Sequence, residues 1–415
     1  MTHSASTCRA DQHALDSPRG WRVAGGVHAL MAVTFGSAYA FSAVFPALSA
    51  EFAATRAETS LVFSLAAFVF YTLGALAGPL ADRWSPRRLI LIGLGCMVLG
   101  YALVSQARSL AMLLLCYAGG VGMGIGLSYV PALGAVQSWF LRKRAQASGV
   151  ATAGLGLGTL LLPLAVGRAV DVVGWRGCFL GLAGLLVLIG VPAACLVTKR
   201  ADPHQRDAAP PRRGAFRHQR GAAPTRRVAF RQEWRDRRFR RFYGVLLLSS
   251  FSTFISYVHL VPAARDIGVS LQAGTGLIGL IGVGNVVGRL VLAGFGDRLG
   301  AQRLLLILTL AVAGSFALWA MAHSVLLLGL FALVFGMSYG GCVGLYPAVA
   351  TEMFGAAQIG TRLGYLYTAV GIAALIGPPL AGLLYDQTGS YLLPIGISAL
   401  AALGAARLLA GIGRL

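Results

Sequence analysis

The stretch Gly78-Pro-Leu-Ala-Asp-Arg-Trp-Ser-Pro-Arg-Arg88 closes one long apolar segment and opens the next. A carboxylate and three arginines this close together do not sit in hydrocarbon, so the stretch reads as a joint at a membrane surface. An offset of 215 residues brings Asp297-Arg298 onto Asp82-Arg83 and Arg303 onto Arg88. The same offset lays Pro378 on Pro163, Gly382 on Gly167, Asp386 on Asp171 and Gly389 on Gly174. One register kept this far, between helices of otherwise free composition, is an internal repeat of two parallel halves.

Outward from that joint, apolar spans fall near 22–50, 58–81, 88–107, 109–138, 145–169 and 175–198, then near 241–264, 272–296, 302–322, 324–353, 359–385 and 390–411. Of the 415 residues 57% are hydrophobic and 12% charged, and the mean hydropathy is +0.72, so bilayer is the expected solvent. The expected fold is an all-α membrane protein of twelve transmembrane helices in two pseudo-symmetric six-helix halves. Its parts are an N-terminal tail 1–20, a first half 21–198, a basic linker 199–240 and a second half 241–415. The first apolar stretch, from Trp21, is too long for a signal-peptide core and is expected to remain. The 55 glycines suit close helix packing in lipid.

Basic residues gather at alternate joints: Arg83, Arg87 and Arg88, then Arg142, Lys143 and Arg144, then Arg298 and Arg303. The opposite joints carry little beyond Arg56, Arg108, Arg176 and Arg265, so the positive-inside rule puts both termini and the linker in the cytoplasm. From Lys199 to Arg241 fifteen basic residues face four acidic ones, which is +11 of the chain's formal +21. This segment reads as a flexible linker resting on anionic lipid heads, ending in a short amphipathic helix over 230–242, and not as a nucleic-acid site. Cys8, Cys96, Cys116, Cys178, Cys195 and Cys342 are scattered singly. The ladder Gly120-Val-Gly-Met-Gly-Ile-Gly126 follows no strand and reads as helix packing. No metal spacing, nucleophile elbow or phosphate loop appears, so neither a metal nor a cofactor nor an enzymatic reaction is expected.

The Gly78–Arg88 run resembles the signature loop between helices two and three of the major facilitator superfamily, with Ser85 where glycine is usual. The resemblance implies that Asp82, Arg83, Arg87, Arg88, Asp297 and Arg298 latch an inner gate through charge-assisted hydrogen bonds. A plain positive-inside loop is the competing reading. Trp139-Phe-Leu-Arg-Lys-Arg-Ala-Gln-Ala-Ser-Gly149, Gly154-Leu-Gly-Leu-Gly158, Gly174-Trp-Arg176 and His259-Leu-Val-Pro-Ala-Ala-Arg-Asp-Ile-Gly268 are similar to the monocarboxylate and oxalate/formate porters within it. The likeness spans the chain outside the ends and the linker.

Arg289 lies eight residues before Asp297, about 12 Å from the helix end at 1.5 Å per residue. A guanidinium at that depth is costly and is expected to face a wet cavity and bind an anion. A structural cation held by helix carbonyls competes with that reading. Asn285 is one turn earlier on the same face, so the two can address one carboxylate and a neighbouring oxygen. In animal monocarboxylate transporters this position resembles one that carries a proton-coupling Asp, which Asn285 cannot replace as a titrating group. In the oxalate/formate porters a lysine precedes the last glycine of a motif like Gly364-Tyr-Leu-Tyr-Thr-Ala-Val-Gly371; Val370 takes its place. One central cation favours a monoanion over a dianion.

Hydroxyl donors are expected from Tyr129, Tyr339, Tyr346, Tyr365 and Tyr367, each also readable as packing, and an apolar wall from Phe35 and Tyr39. His28 is a candidate proton relay, with a packing histidine as the competing reading. The sequence thus leads to a secondary carrier in the bacterial inner membrane, functioning as a monomer. It takes up a small monocarboxylate such as lactate or pyruvate by alternating access, coupled to protons. The rivals are an exporter of drugs or other organic solutes and a non-transporting membrane sensor with the carrier fold.

Overall fold

The structure is a computed structural model that describes residues 16–140, 143–198, 230–355 and 359–412; the side chains at 75–83, 144, 145, 293, 297 and 360 lie outside that description. Within it the first half comprises α1 (Pro18–Tyr39), α2 (Phe41–Glu51), α3 (Arg56–Arg83), α4 (Pro86–Val104), α5 (Leu110–Tyr117), α6 (Met123–Trp139), α7 (Arg144–Leu185) and α8 (Val191–Leu196). One-turn π segments, Ala118–Gly122 and Leu186–Gly190, join α5 to α6 and α7 to α8. The second half has α9 (Phe230–Glu233), α10 (Arg237–Asp266), α11 (Leu271–Val287), α12 (Gly296–Leu299), α13 (Ala301–Ala320), α14 (Val325–Phe354), α15 (Ile359–Thr388) and α16 (Leu392–Ala410). Between α11 and α12 the chain passes through a π turn, Gly288–Leu292, and a 3₁₀ turn, Ala293–Phe295.

Eleven stretches among the described residues are long and apolar enough to cross a bilayer. One of them, Gln146–Leu196, is 51 residues long. As a single helix it would reach roughly 75 Å, more than twice the thickness of the hydrocarbon layer. It is not straight: Gly174 inside it has φ 67° and ψ 171°, and the repeat mate Gly389, at φ 66°, divides α15 from α16. Only glycine adopts that backbone at little cost, so the same residue turns the chain in both halves.

Helices alternate in direction between two ends. At the linker end, Trp139 Nε1 donates to the Thr198 carbonyl at 2.7 Å, Lys143 N donates to Asp16 Oδ1 at 3.1 Å and Gln302 Nε2 donates to the Leu409 carbonyl at 3.4 Å. At the far end, Glu51 accepts from Trp175 Nε1 and the Arg176 guanidinium, and Arg176 Nη2 also donates to the Ala107 carbonyl at 3.0 Å. Large apolar side chains such as Leu115, Val172, Leu188 and Leu326 point outward, as expected of a surface facing lipid. The halves have separate aromatic interiors: Tyr101, Tyr117 and Phe179 in the first, Phe316, Phe331 and Phe335 in the second.

The two halves meet along two seams, α3 with α15 and α7 with α11, which the 215-residue offset exchanges. Glycines bring the backbones together there. A side chain on Gly282 would run into the Gly156 carbonyl, and one on Gly382 into the backbone of Arg56 and Ala57.

The linker differs from expectation. In place of one amphipathic helix over 230–242, α9 ends at Glu233, the chain bends through Trp234–Asp236, and the next span already begins at Arg237. The Asp236 carboxylate stops the bend by accepting from Arg238 N at 2.7 Å, a capping bond that starts a new helix.

The unusual Ser85 also has a physical reason. It caps α4, its hydroxyl accepting from Arg88 N at 3.4 Å, at φ −64° and ψ 138°. Its repeat mate Gly300 precedes α13 at φ 85° and ψ 129°. The two joints are equivalent in sequence and different in backbone. Accordingly Gly300→Ala should destabilise the protein by about 1–3 kcal/mol, whereas Ser85→Gly should cost only about a few tenths of a kcal/mol. Thermal unfolding of the purified variants in detergent reads the difference; equal shifts would refute it.

Candidate functional site

Arg289 sits on the π turn Gly288–Leu292 that follows α11. Single π turns recur at functional positions because they re-aim one side chain within an otherwise regular helix. Arg289 Nε donates to Asn285 Oδ1 at 2.8 Å, and Asn285 Nδ2 donates to the Tyr257 hydroxyl at 3.2 Å. Asn285 is 2% exposed, so its oxygen is committed to Arg289 and its amide aims the guanidinium. Among the described residues no protein acceptor takes a bond from the Nη groups of Arg289, and no carboxylate pairs with it. Four N–H donors in a planar fork therefore remain for a carboxylate.

Tyrosines surround this cation. Its charge acts on Tyr39, Tyr129, Tyr257, Tyr339 and Tyr367, which come from α1, α6, α10, α14 and α15. Tyr39 packs on Tyr257 across the halves with ring centroids 4.4 Å apart and planes tilted by 35°, and Phe35 packs edge-on to Tyr129 at 5.5 Å. Behind Tyr39 lies a small apolar cavity lined by Phe35, Phe63, Phe70, Tyr117 and Phe254. The arrangement can bind one small anion in a hydroxyl-rich, partly dry site between the halves.

Of the residues expected from sequence, Arg289, Asn285, Tyr129, Tyr339, Tyr367, Phe35 and Tyr39 come together here. Two do not. Tyr365 packs on Phe230 at 5.2 Å, toward the linker, and Tyr346 is buried against Phe242 at 6.3 Å. His28 donates its Nδ1 proton to the Val150 carbonyl at 2.7 Å, a packing bond between α1 and α7. Val370 is buried at 4% exposure and contributes no charge.

Sequence reasoning missed Tyr257 and Tyr71. Tyr71 lies 6.4 Å from Tyr367, ring to ring. It was within reach: the 215-residue offset maps Asn285 and Val286 onto Phe70 and Tyr71.

The side chains of Asp82, Arg83 and Asp297, on which the inner latch depends, lie outside the described set. Arg87 donates to Cys195 Sγ at 3.2 Å within the first half, Arg88 is exposed, and Arg298 stands over the Phe295 ring at 6.0 Å. Among the described residues none of these three bridges the halves.

A bridge does exist at the far end. Arg56 grips Asp266 with both Nη groups, at 2.9 and 2.6 Å, and donates to the Tyr391 hydroxyl at 2.8 Å. Its guanidinium lies 3.7 Å from the Tyr385 ring centroid. Asp386 accepts from the backbone N–H groups of Arg56 and Ala57, both at 3.1 Å, and so caps the N-terminus of α3 from the other half. The repeat mate Asp171 faces the N-terminus of α11, where it accepts from Gln272 Nε2 at 3.3 Å. Every hydrogen bond recorded between the halves among the described residues belongs to this far-end set.

The sequence profile of the Major Facilitator Superfamily matches residues 27–361 and 284–412, and the chain belongs to that superfamily. It is a multi-pass membrane transporter related to the monocarboxylate transporters. It is 28% identical to monocarboxylate transporter 12 of Rattus norvegicus over 404 residues, covering 91% of this chain and 82% of that one. It is 26% identical to monocarboxylate transporter 11 of Homo sapiens over 385 residues (91% and 79%), and 27% identical to monocarboxylate transporter 13 of Bos taurus over 378 residues (91% and 85%). Among solved structures, a bacterial homolog of the human lysosomal transporter Spinster, in an inward-facing and unoccupied conformation, superposes with a TM-score of 0.68 at 16% identity, over 96% of this chain and 94% of that one. That likeness is one of fold.

The Arg56–Asp266 pair is 20% and 31% exposed, so its contribution is screened, on the order of 1 kcal/mol. Removing it with Arg56→Gln should shift the closed-to-open ratio at the far end by about fivefold. Spin labels on Ser109→Cys and His323→Cys, with the native cysteines replaced, should show a longer-distance population in the variant. An unchanged distance distribution would show that Arg56 does not hold the two halves together at this end.

Proposed function

We propose that this protein is a secondary carrier of small monocarboxylates, of the lactate and pyruvate kind, working by alternating access around Arg289. The observation that carries the reading is the Arg289 guanidinium, aimed by Asn285 at 2.8 Å, with its Nη groups unengaged among the described residues and ringed by tyrosines from both halves. A carboxylate matches the fork bidentately, and the hydroxyls suit a neighbouring 2-oxo or 2-hydroxy oxygen. A second negative charge would lack a partner, which favours monoanions. The names of the relatives point the same way.

In this reading the chain crosses the membrane twelve times, the reversal at Gly174 splitting the 51-residue stretch in two. Both termini and the linker are cytoplasmic, in the inner membrane of a bacterium, and the far-end network is the closed outer gate of an inward-facing state. Exposed Arg231, Arg235, Arg237 and Arg238, beside the half-exposed Phe230 and Trp234, suit a surface of anionic lipid heads and aromatic anchors. One chain supplies the whole site, in keeping with a monomeric unit. Among the described residues no carboxylate pairs with Arg289, so the proton accompanies the anion without a carboxylate relay at the cation.

Reconstituted protein should take up labelled lactate or pyruvate, faster under an inward proton gradient. Arg289→Ala should lower that flux by at least about a hundredfold, equivalent to roughly 3 kcal/mol for a charge-assisted pair, and Arg289→Lys should recover only part of it. Wild-type protein that moves neither acid, or an Ala variant that moves them equally, would overturn the assignment; flux indifferent to the gradient would replace symport by exchange.

A further inference from the structure

Tyr257 is absent from the sequence-based site, yet it links the Asn285–Arg289 pair to the ring of Tyr39 in the opposite half. The Asn285 amide has two orientations. Only one turns its oxygen to Arg289 Nε, and in that orientation its Nδ2 must find an acceptor in a site where Asn285 is 2% exposed. The Tyr257 hydroxyl is that acceptor, at 3.2 Å, and Tyr257 is itself 3% exposed. Without it the flipped amide would present N–H to the guanidinium, donor against donor, or leave a buried N–H unpaired.

The ring of the same residue has a second contact. It packs on Tyr39 at 4.4 Å, tilted by 35°, closer than the other ring pairs that join the halves among the described residues, which lie between 5.8 and 6.4 Å. Tyr39 is the last residue of α1, before the break at Ala40, and α2 beyond it runs to Glu51 at the far end. Two residues after Tyr257 on α10, His259 stands 3.0 Å from the Tyr391 hydroxyl that Arg56 also contacts. One helix thus carries both the bond that orients the site and a bond to the far-end gate.

We infer that Tyr257 is a positioning residue with two separable functions: its hydroxyl sets the Asn285 amide and thereby Arg289, and its ring against Tyr39 transmits the state of that site to the first half. The inference rests on the proposed anion site. Tyr257→Phe keeps the ring and loses the acceptor, so KM for the transported acid should rise about tenfold with turnover within twofold. Tyr39→Leu keeps the hydroxyl of Tyr257 and loses the ring contact, so turnover should fall about tenfold, and Tyr39→Phe should recover most of that loss.

Kinetics in which Tyr257→Phe leaves KM unaltered, or Tyr39→Phe is as slow as Tyr39→Leu, would sink the inference while wild-type flux still upholds the carrier assignment. A readout independent of the substrate accompanies it. Phenylglyoxal modification of Arg289, followed by peptide mass, should run about threefold faster in Tyr257→Phe than in wild type, and an equal rate would overturn the positioning function even if no tested acid is carried.

Discussion

A guanidinium deep in a membrane-spanning bundle is tolerable only where its charge is answered, and the centre of this protein is built around that requirement. Burial of an isolated cation costs several kcal/mol, and a permanent carboxylate partner would cancel the site's appetite for anions. The solution here is intermediate. Asn285 takes one N–H of Arg289, tyrosine hydroxyls supply dipoles around it, and the remaining donors stay unspent among the described residues. In the proposed function an anionic occupant completes this net positive, half-buried site. The contributing helices come from both halves, so the site lies between them.

The repeat gives both halves the same parts and then uses them differently. Asp386 reaches the backbone of α3, whereas Asp171 reaches only the side chain of Gln272. Gly300 turns with positive φ, whereas Ser85 caps. Arg289 and Asn285 occupy positions whose mates are Gly74 and Phe70. Symmetry thus fixes where the seams lie, and departures from it give one half the charge and the other the apolar wall of Phe35, Phe63 and Phe70.

Much of this was legible in the sequence because hydrocarbon imposes a coarse filter that composition cannot evade. The long apolar helices and their close packing through glycine follow from length, hydropathy and composition. What was not legible follows from side-chain direction and long-range pairing. A tyrosine in an apolar helix gives no sign of the face it occupies, so Tyr365 was placed in the site and Tyr257 outside it. The far-end bridge joins residues 210 and 330 apart in sequence, which no local pattern connects. The bend at Trp234–Asp236 depends on a single capping aspartate inside an otherwise continuous basic and aromatic run.

The Asp386 contact has a consequence for how this join between the halves can vary. Its donors are main-chain amides, present whatever residues stand at positions 56 and 57, proline excepted. Drift in the side chains of α3 can weaken the hold of Arg56 but leaves that half of the clasp in place. Variation of this contact by evolution or by design is therefore concentrated on one carboxylate of α15, and a lineage that lost it would have to rebuild the contact from the opposite helix.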